Sequence, residues 1–138
     1  MNKKGPIVII DDDEDDHELL RELLNELKID NETVFFSDGE SAVSYLATPN
    51  IRPFLIISDI KMPRMSGFEI RQNISKLSEQ VKITPFLFFT TCGTEQSLKQ
   101  AYSLSVQGLF QKPVKYAHWK STMENIINYW SSCMAPAS

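Results

Sequence analysis

Five short apolar runs separated by stretches of helical periodicity constrain this chain more than any other feature. IVII at residues 7–10, TVFF at 33–36, FLII at 54–57, FLFF at 86–89 and GLF at 108–110 are rich in β-branched or aromatic side chains. Runs of that length and composition read as strands. Between the first two, Leu19, Leu20, Leu23, Leu24 and Leu27 recur at helical spacing. Helices are likewise expected from Gly39 to about Leu46, from about Phe68, over residues 95–104, and from Tyr116 to Tyr129 or Trp130. Asp38 is placed to cap the second of these. Five strands alternating with five helices imply the α/β class, with a parallel sheet covered on both faces.

At 138 residues the chain suits one domain, expected over residues 5–131 with a tail at 132–138. A hydrophobic content of 42% is enough for a packed core. The net charge of −4 and the absence of a basic stripe argue against nucleic acid as a direct partner. Cys92 and Cys133 lack metal-ligand spacing, which fits a reducing compartment. The apolar run after Lys3 and Lys4 is four residues long and is followed at once by acids, too short for a signal peptide or membrane span. A soluble, cytoplasmic protein with no membrane partner is expected.

Ligands of open parallel sheets bind outside the carboxyl ends of the strands, where the strand order reverses. Four of the five runs end there in a chemically useful residue: Asp11 and Asp12, Asp59, Thr90, and Lys112. In a 2-1-3-4-5 strand order the first and third strands are neighbours, so their three carboxylates converge. Such a cluster needs a counter-charge or a raised pKa. Mg2+ meets that need with oxygen ligands. Lys112 supplies a mobile point charge and Thr90 a hydroxyl donor for a phosphoryl group. Phosphoryl transfer requires mainly positioning and charge neutralisation, and an Asp carboxylate serves as covalent nucleophile.

The stretches IVIIDDD, LIISDIKMP, FLFFTT and LFQKP, in that order, resemble the receiver domains of two-component response regulators, over about residues 6–130. The resemblance implies a flavodoxin-like fold and a stand-alone regulator of the chemotaxis type. It implies Asp59 as phospho-acceptor, Asp12 as a direct Mg2+ ligand and Asp11 as one acting mostly through metal-bound water. It also implies Lys61 as a ligand through its backbone carbonyl, Thr90 as the switch hydroxyl, and Lys112 as the family's lysine. Pro113 stands at the family's cis-proline position. The donor implied is a sensor histidine kinase or phosphotransfer protein. The module is regulatory rather than an enzyme, although it assists its own phosphorylation and dephosphorylation. Its output is binding of a downstream protein or dimerisation. The tail residues Ile126, Ile127, Asn128, Tyr129 and Trp130 resemble stand-alone regulators paired with phytochrome-like or hybrid kinases. This leaves aromatic residues near the surface of the last helix, and a homodimer through the last two helices and the strand between them is expected.

The same residues admit other readings. Residues 13–16 read as a solvated helix start, where acids suit the macrodipole. His17 and His118 read as surface helix residues, and Trp119 and Trp130 as packing. Asp11 and Asp13 also match the acid pair of haloacid-dehalogenase-type phosphatases, but that leaves Asp59 unexplained. A receiver that never takes phosphate is a third reading. Leu109 mildly favours it, because the family usually has Tyr or Phe there. Signalling is therefore expected to use backbone movement near Thr90. Thr91 replaces a common Ala, Lys61 and Cys92 flank the site, and Ser105 stands where a helix-ending Gly is common.

Overall fold

The computed structural model describes residues 1–91 and 93–136. The five runs form strands β1 (Ile7–Ile10), β2 (Thr33–Phe36), β3 (Leu55–Asp59), β4 (Phe86–Thr90) and β5 (Gly108–Gln111). They make one parallel sheet in the order β2-β1-β3-β4-β5. The helices are α1 (Glu14–Glu26), α2 (Gly39–Leu46), α3 (Gly67–Ile74), α4 (Glu79–Lys82), α5 (Glu95–Ser103) and α6 (Tyr116–Ser132). The expected class and strand order are both present. The one-turn α4 is an addition to the expected elements: four residues carry too little periodicity to be read as a helix. Among the described residues no helix is long and apolar enough to cross a membrane.

Successive side chains of a strand point to opposite faces, so each buried strand feeds two cores. Ile7, Ile9, Leu55, Ile57, Leu87 and Phe89 face α1 and α6, where they meet Leu20, Leu23, Trp119, Met123 and Ile126. Val8, Ile10, Ile56, Phe86 and Phe88 face the other way, towards Ala42, Leu46, Ile70, Ile74 and Ala101. This explains why β1, β3 and β4 read as continuous apolar runs rather than alternating ones. Trp119 stacks on Phe89 with centroids 5.4 Å apart, which confirms it as a packing residue.

The helix starts follow from local chemistry. Asp13 caps α1 by accepting from the amides of Asp15 and Asp16. Asp38 caps α2 through the amide of Ser41, as expected. Ser66 and Glu69 form a capping box at α3. At the far end of α5, Ser105 has φ 60°, the left-handed conformation usually left to glycine. Arg71 of α3 supports that end: its Nε donates to the carbonyl of Leu104 at 3.1 Å and its Nη2 to that of Ser105 at 3.4 Å. The Lys112–Pro113 peptide is trans, and no cis peptide occurs among the described residues, contrary to the family expectation.

Candidate functional site

The switch between β1 and β3 brings the acidic residues together. Asp11 and Asp12 follow β1, and Asp59 ends β3. Oxygen atoms of Asp11, Asp12 and Asp59 lie within 4.8 Å of one another, the geometry of a cation site. Each carboxylate has a backbone anchor or solvent access. Asp11 Oδ1 accepts from the amide of Asp13 at 2.9 Å, and Asp59 Oδ1 accepts from the amide of Ile60 at 2.7 Å. Asp12 is exposed. The donor set is wholly oxygen, which suits a hard divalent cation rather than a soft one.

Lys112, just past β5, reaches across the sheet ends into this cluster. Its backbone amide donates to the carbonyl of Thr90 at 2.8 Å, which fixes the start of the side chain. Its Nζ then lies 2.8 Å from Asp11 Oδ2, 2.8 Å from Asp16 Oδ2 and 3.1 Å from Asp59 Oδ2. Burial by itself would depress the lysine pKa. The hydrogen bonds of Asp11 and Asp16, with the charges of Asp11 and Asp59, outweigh it and hold the ammonium above its ordinary range.

Burial is also the main influence on Asp11. It raises the carboxyl pKa to about 6, against the opposing hydrogen bonds from Lys112 and the Asp13 amide. Repulsion among the acids is the cause that the sequence suggests for a raised pKa. Withdrawal from water is the larger cause, and repulsion from Asp59 a lesser one.

Thr90, at the carboxyl end of β4, is buried at 2% exposure. It forms part of the wall of a cleft of about 560 Å3, between the loop after β3 and the start of α5. Lys61, Met62 and Phe68 line one side, and Thr94 and Ser97 the other. Lys61 itself is exposed. The loop is closed by a hydrogen bond from the amide of Gly67 to the carbonyl of Ile60 at 2.8 Å. A Cβ at Gly67 would overlap the carbonyl oxygen of Asp59, so only glycine lets α3 start this close to the strand end.

Two residues behave otherwise than the sequence suggested. Asp16 is no mere solvated acid: it binds Lys112, and its side chain is 19% exposed. It lies in the first turn of α1, one turn past the cluster, so helical geometry rather than adjacency brings it in. His17 is not a surface residue. It is 2% exposed, its Nε2 lies 2.6 Å from the carbonyl of Asp11, and its ring packs on Phe35. Helical spacing puts His17 in line with the buried Leu20 and Leu24 of α1, and Asp16 is its half-buried neighbour on the helix. Asp13, by contrast, is spent on capping, so the Asp11–Asp13 pair of the phosphatase reading has no counterpart in the geometry. His118 is exposed, as expected, and Cys92 lies outside the described residues.

The family model of the response regulator receiver domain matches residues 7–124. Methanothrix harundinacea has a relative described as a probable methanogenesis regulatory protein, FilR2. It is 27% identical, with 90% of this chain and 82% of that protein covered. Response regulator Rcp1 of Synechocystis is 26% identical over 94% of this chain and 90% of its own. Among solved structures, the phosphorylated cyanobacterial phytochrome response regulator RcpA superposes with a TM-score of 0.86 at 24% identity. That alignment covers 96% of this chain and 99% of the other.

Proposed function

The chain belongs to the response regulator receiver family, a phosphoryl-accepting switch of two-component systems, and from that premise we propose that Asp59 is the acceptor. The observation that carries this reading is the position of Asp59 Oδ2, 3.1 Å from the Lys112 ammonium and inside the acidic cluster. Receiver domains bind a divalent metal at such a cluster, and the all-oxygen donor set here fits one. In this reading the metal is Mg2+, held by Asp11, Asp12, Asp59 and the backbone carbonyl of Lys61. When bound, it neutralises charge on the phosphoryl oxygens.

The residues then divide the work. An Asp59 oxygen attacks phosphorus, and the bond from phosphorus to the donor's imidazole nitrogen breaks, with the electron pair leaving on nitrogen. Lys112 turns from Asp59 to the phosphoryl oxygens, and the Thr90 hydroxyl donates to one of them. The donor is a sensor histidine kinase or a phosphotransfer protein, and hydrolysis of the aspartyl phosphate resets the switch.

The functional unit runs over residues 5–131 and works in the cytoplasm. The added charge biases a two-state surface, and the output is a downstream protein or a second copy of the chain. Dimerisation through α5, β5 and α6 is favoured by Tyr102 and Tyr129, which leave 54% and 64% of their surface exposed there. A monomer by light scattering both with and without beryllofluoride excludes it.

The acceptor assignment is tested with acetyl phosphate and Mg2+, followed by intact-mass measurement. One phosphoryl adduct is expected in the parent chain and none in Asp59→Asn. No adduct in the parent, or one that survives the substitution, overturns the assignment.

A further inference from the structure

We infer that Asp16 is a positioning residue: it holds the Lys112 ammonium while Asp11 and Asp59 turn to a divalent cation. This rests on the proposed cation site. The conflict that calls for it is geometric. Lys112 Nζ lies at contact distance from Asp11 Oδ2 and Asp59 Oδ2, two of the three carboxylates that form the cluster. An ammonium and a divalent cation compete for those carboxylates, because like charges at that separation repel. Lys112 must therefore release Asp11 and Asp59 without leaving the site, since it is needed again when a phosphoryl group arrives.

Asp16 provides the place. Its Oδ2 already accepts from Nζ at 2.8 Å, as close as Asp11 does. It is not part of the three-carboxylate cluster, so its bond to Lys112 does not compete with a cation there. Its backbone is fixed in the first turn of α1, where its amide donates to the Asp13 side chain at 3.3 Å. The lysine side chain is 7% exposed, so bulk water cannot take the place of a lost carboxylate. Without Asp16 the ammonium would stay on Asp11 and Asp59 and exclude the cation.

A double-substitution cycle read by Mg2+ titration calorimetry tests this on the full chain, with circular dichroism to confirm folding. Asp16→Asn is expected to weaken Mg2+ binding by about two- to 150-fold, the span of coupling between contacting groups. In a Lys112→Met background the same substitution is expected to change it little, because no ammonium remains to be held. Asp15→Asn, an exposed acid of the same turn, is expected to have little effect in either background. Asp16→Asn acting equally in both backgrounds would mean a through-space charge effect only and would overturn the inference. Unchanged binding in Asp16→Asn would overturn it as well. If the parent chain itself binds no Mg2+, the cation site fails and the role of Asp16 with it. Mg2+ binding in the parent with an additive cycle removes only the role of Asp16. Should Asp16→Asn fold poorly, Asp16→Ser serves in the same cycle with the same expectations.

Discussion

Lys112 Nζ donates to Asp59 Oδ2 at 3.1 Å, so the proposed acceptor already lies against a cation. One point charge satisfies three carboxylates that approach it from β1, α1 and β3. A guanidinium is planar and matches one carboxylate bidentately, so it cannot repeat that arrangement. Lys112→Arg is expected to fold and to keep its charge, but to lose at least one charge-assisted contact. Such a contact contributes about 1.5–3 kcal/mol, which corresponds to roughly ten- to hundredfold in rate. The rate of adduct formation from acetyl phosphate, followed by intact mass, is the measurement. A rate equal to the parent's contradicts the point-charge account.

Asp11 makes stability depend on pH in an unusual direction for a carboxylate. Its folded pKa, about 6, lies above the unfolded value of 3.8. The folded state therefore holds the proton more tightly. The corresponding stability is fully present below the unfolded value and is lost as pH rises through about 6. The gap between the folded and unfolded values corresponds to about 3 kcal/mol, lost between about pH 4 and pH 6. Asp11→Asn is expected to flatten this fall and to exceed the parent in stability at pH 7.5. Urea denaturation in EDTA at several pH values reads both. Parent stability that rises with pH relative to Asp11→Asn over that window would refute the burial argument.

The strand-end chemistry was legible in the sequence because it depends on a simple rule. A short apolar run of strand length ends at a visible place, so Asp59, Thr90 and Lys112 could be located at or beside the strand ends without any tertiary information. Strand order was not legible in the runs themselves; it came with the resemblance to the receiver fold, and the pairing of β1 with both β2 and β3 bears it out. Asp16 and His17 were not legible for a different reason. Whether a residue in the first turn of a helix faces the sheet or water depends on the helix's rotation about its axis. That rotation is set by the packing of Leu20, Leu23 and Leu24 against the sheet, which local spacing only approximates. Arg71 lies beyond sequence reasoning for a related reason. A charged residue on the inner face of α3 makes sense only once the carbonyls of Leu104 and Ser105, more than thirty positions away, are seen beside it.

Ser105 turns that arrangement into a measurable trade. Its positive φ carries a conformational cost of about 1 kcal/mol relative to glycine. Ser105→Gly is therefore expected to stabilise the chain by about 0.5–1 kcal/mol in urea denaturation. Arg71→Ala removes both hydrogen bonds and leaves a void beside Phe86, over whose ring the guanidinium sits at 5.5 Å. A loss of about 2–4 kcal/mol is expected there. Destabilisation by Ser105→Gly would show that the serine makes up its backbone strain elsewhere.

Leu109 stands where the family usually has an aromatic ring, which bears on how a phosphoryl group would be read at the surface. It pairs with Phe88 across β4 and β5 and packs, half-buried, on the α5 side of the sheet. The neighbouring aromatic, Phe110, cannot take over the family's moving ring, because it faces the opposite side and stacks on Phe89 at 5.1 Å. No large ring on the Thr90 side of β5 is then available to swing inward as the hydroxyl engages a phosphoryl group. What adjoins Thr90 instead is the start of α5, capped by Thr94 and Ser97, both of which line the cleft that Thr90 borders. Addition of beryllofluoride and Mg2+ is therefore expected to change amide hydrogen exchange most in the first turn of α5, with little change across β5. Leu109→Tyr is expected to leave the rate of adduct formation unaltered, since the side chain lies outside the acidic cluster, but to extend the exchange change into β5. Protection changes confined to β5 in the parent chain would mean that Leu109 still transmits the signal by side-chain movement.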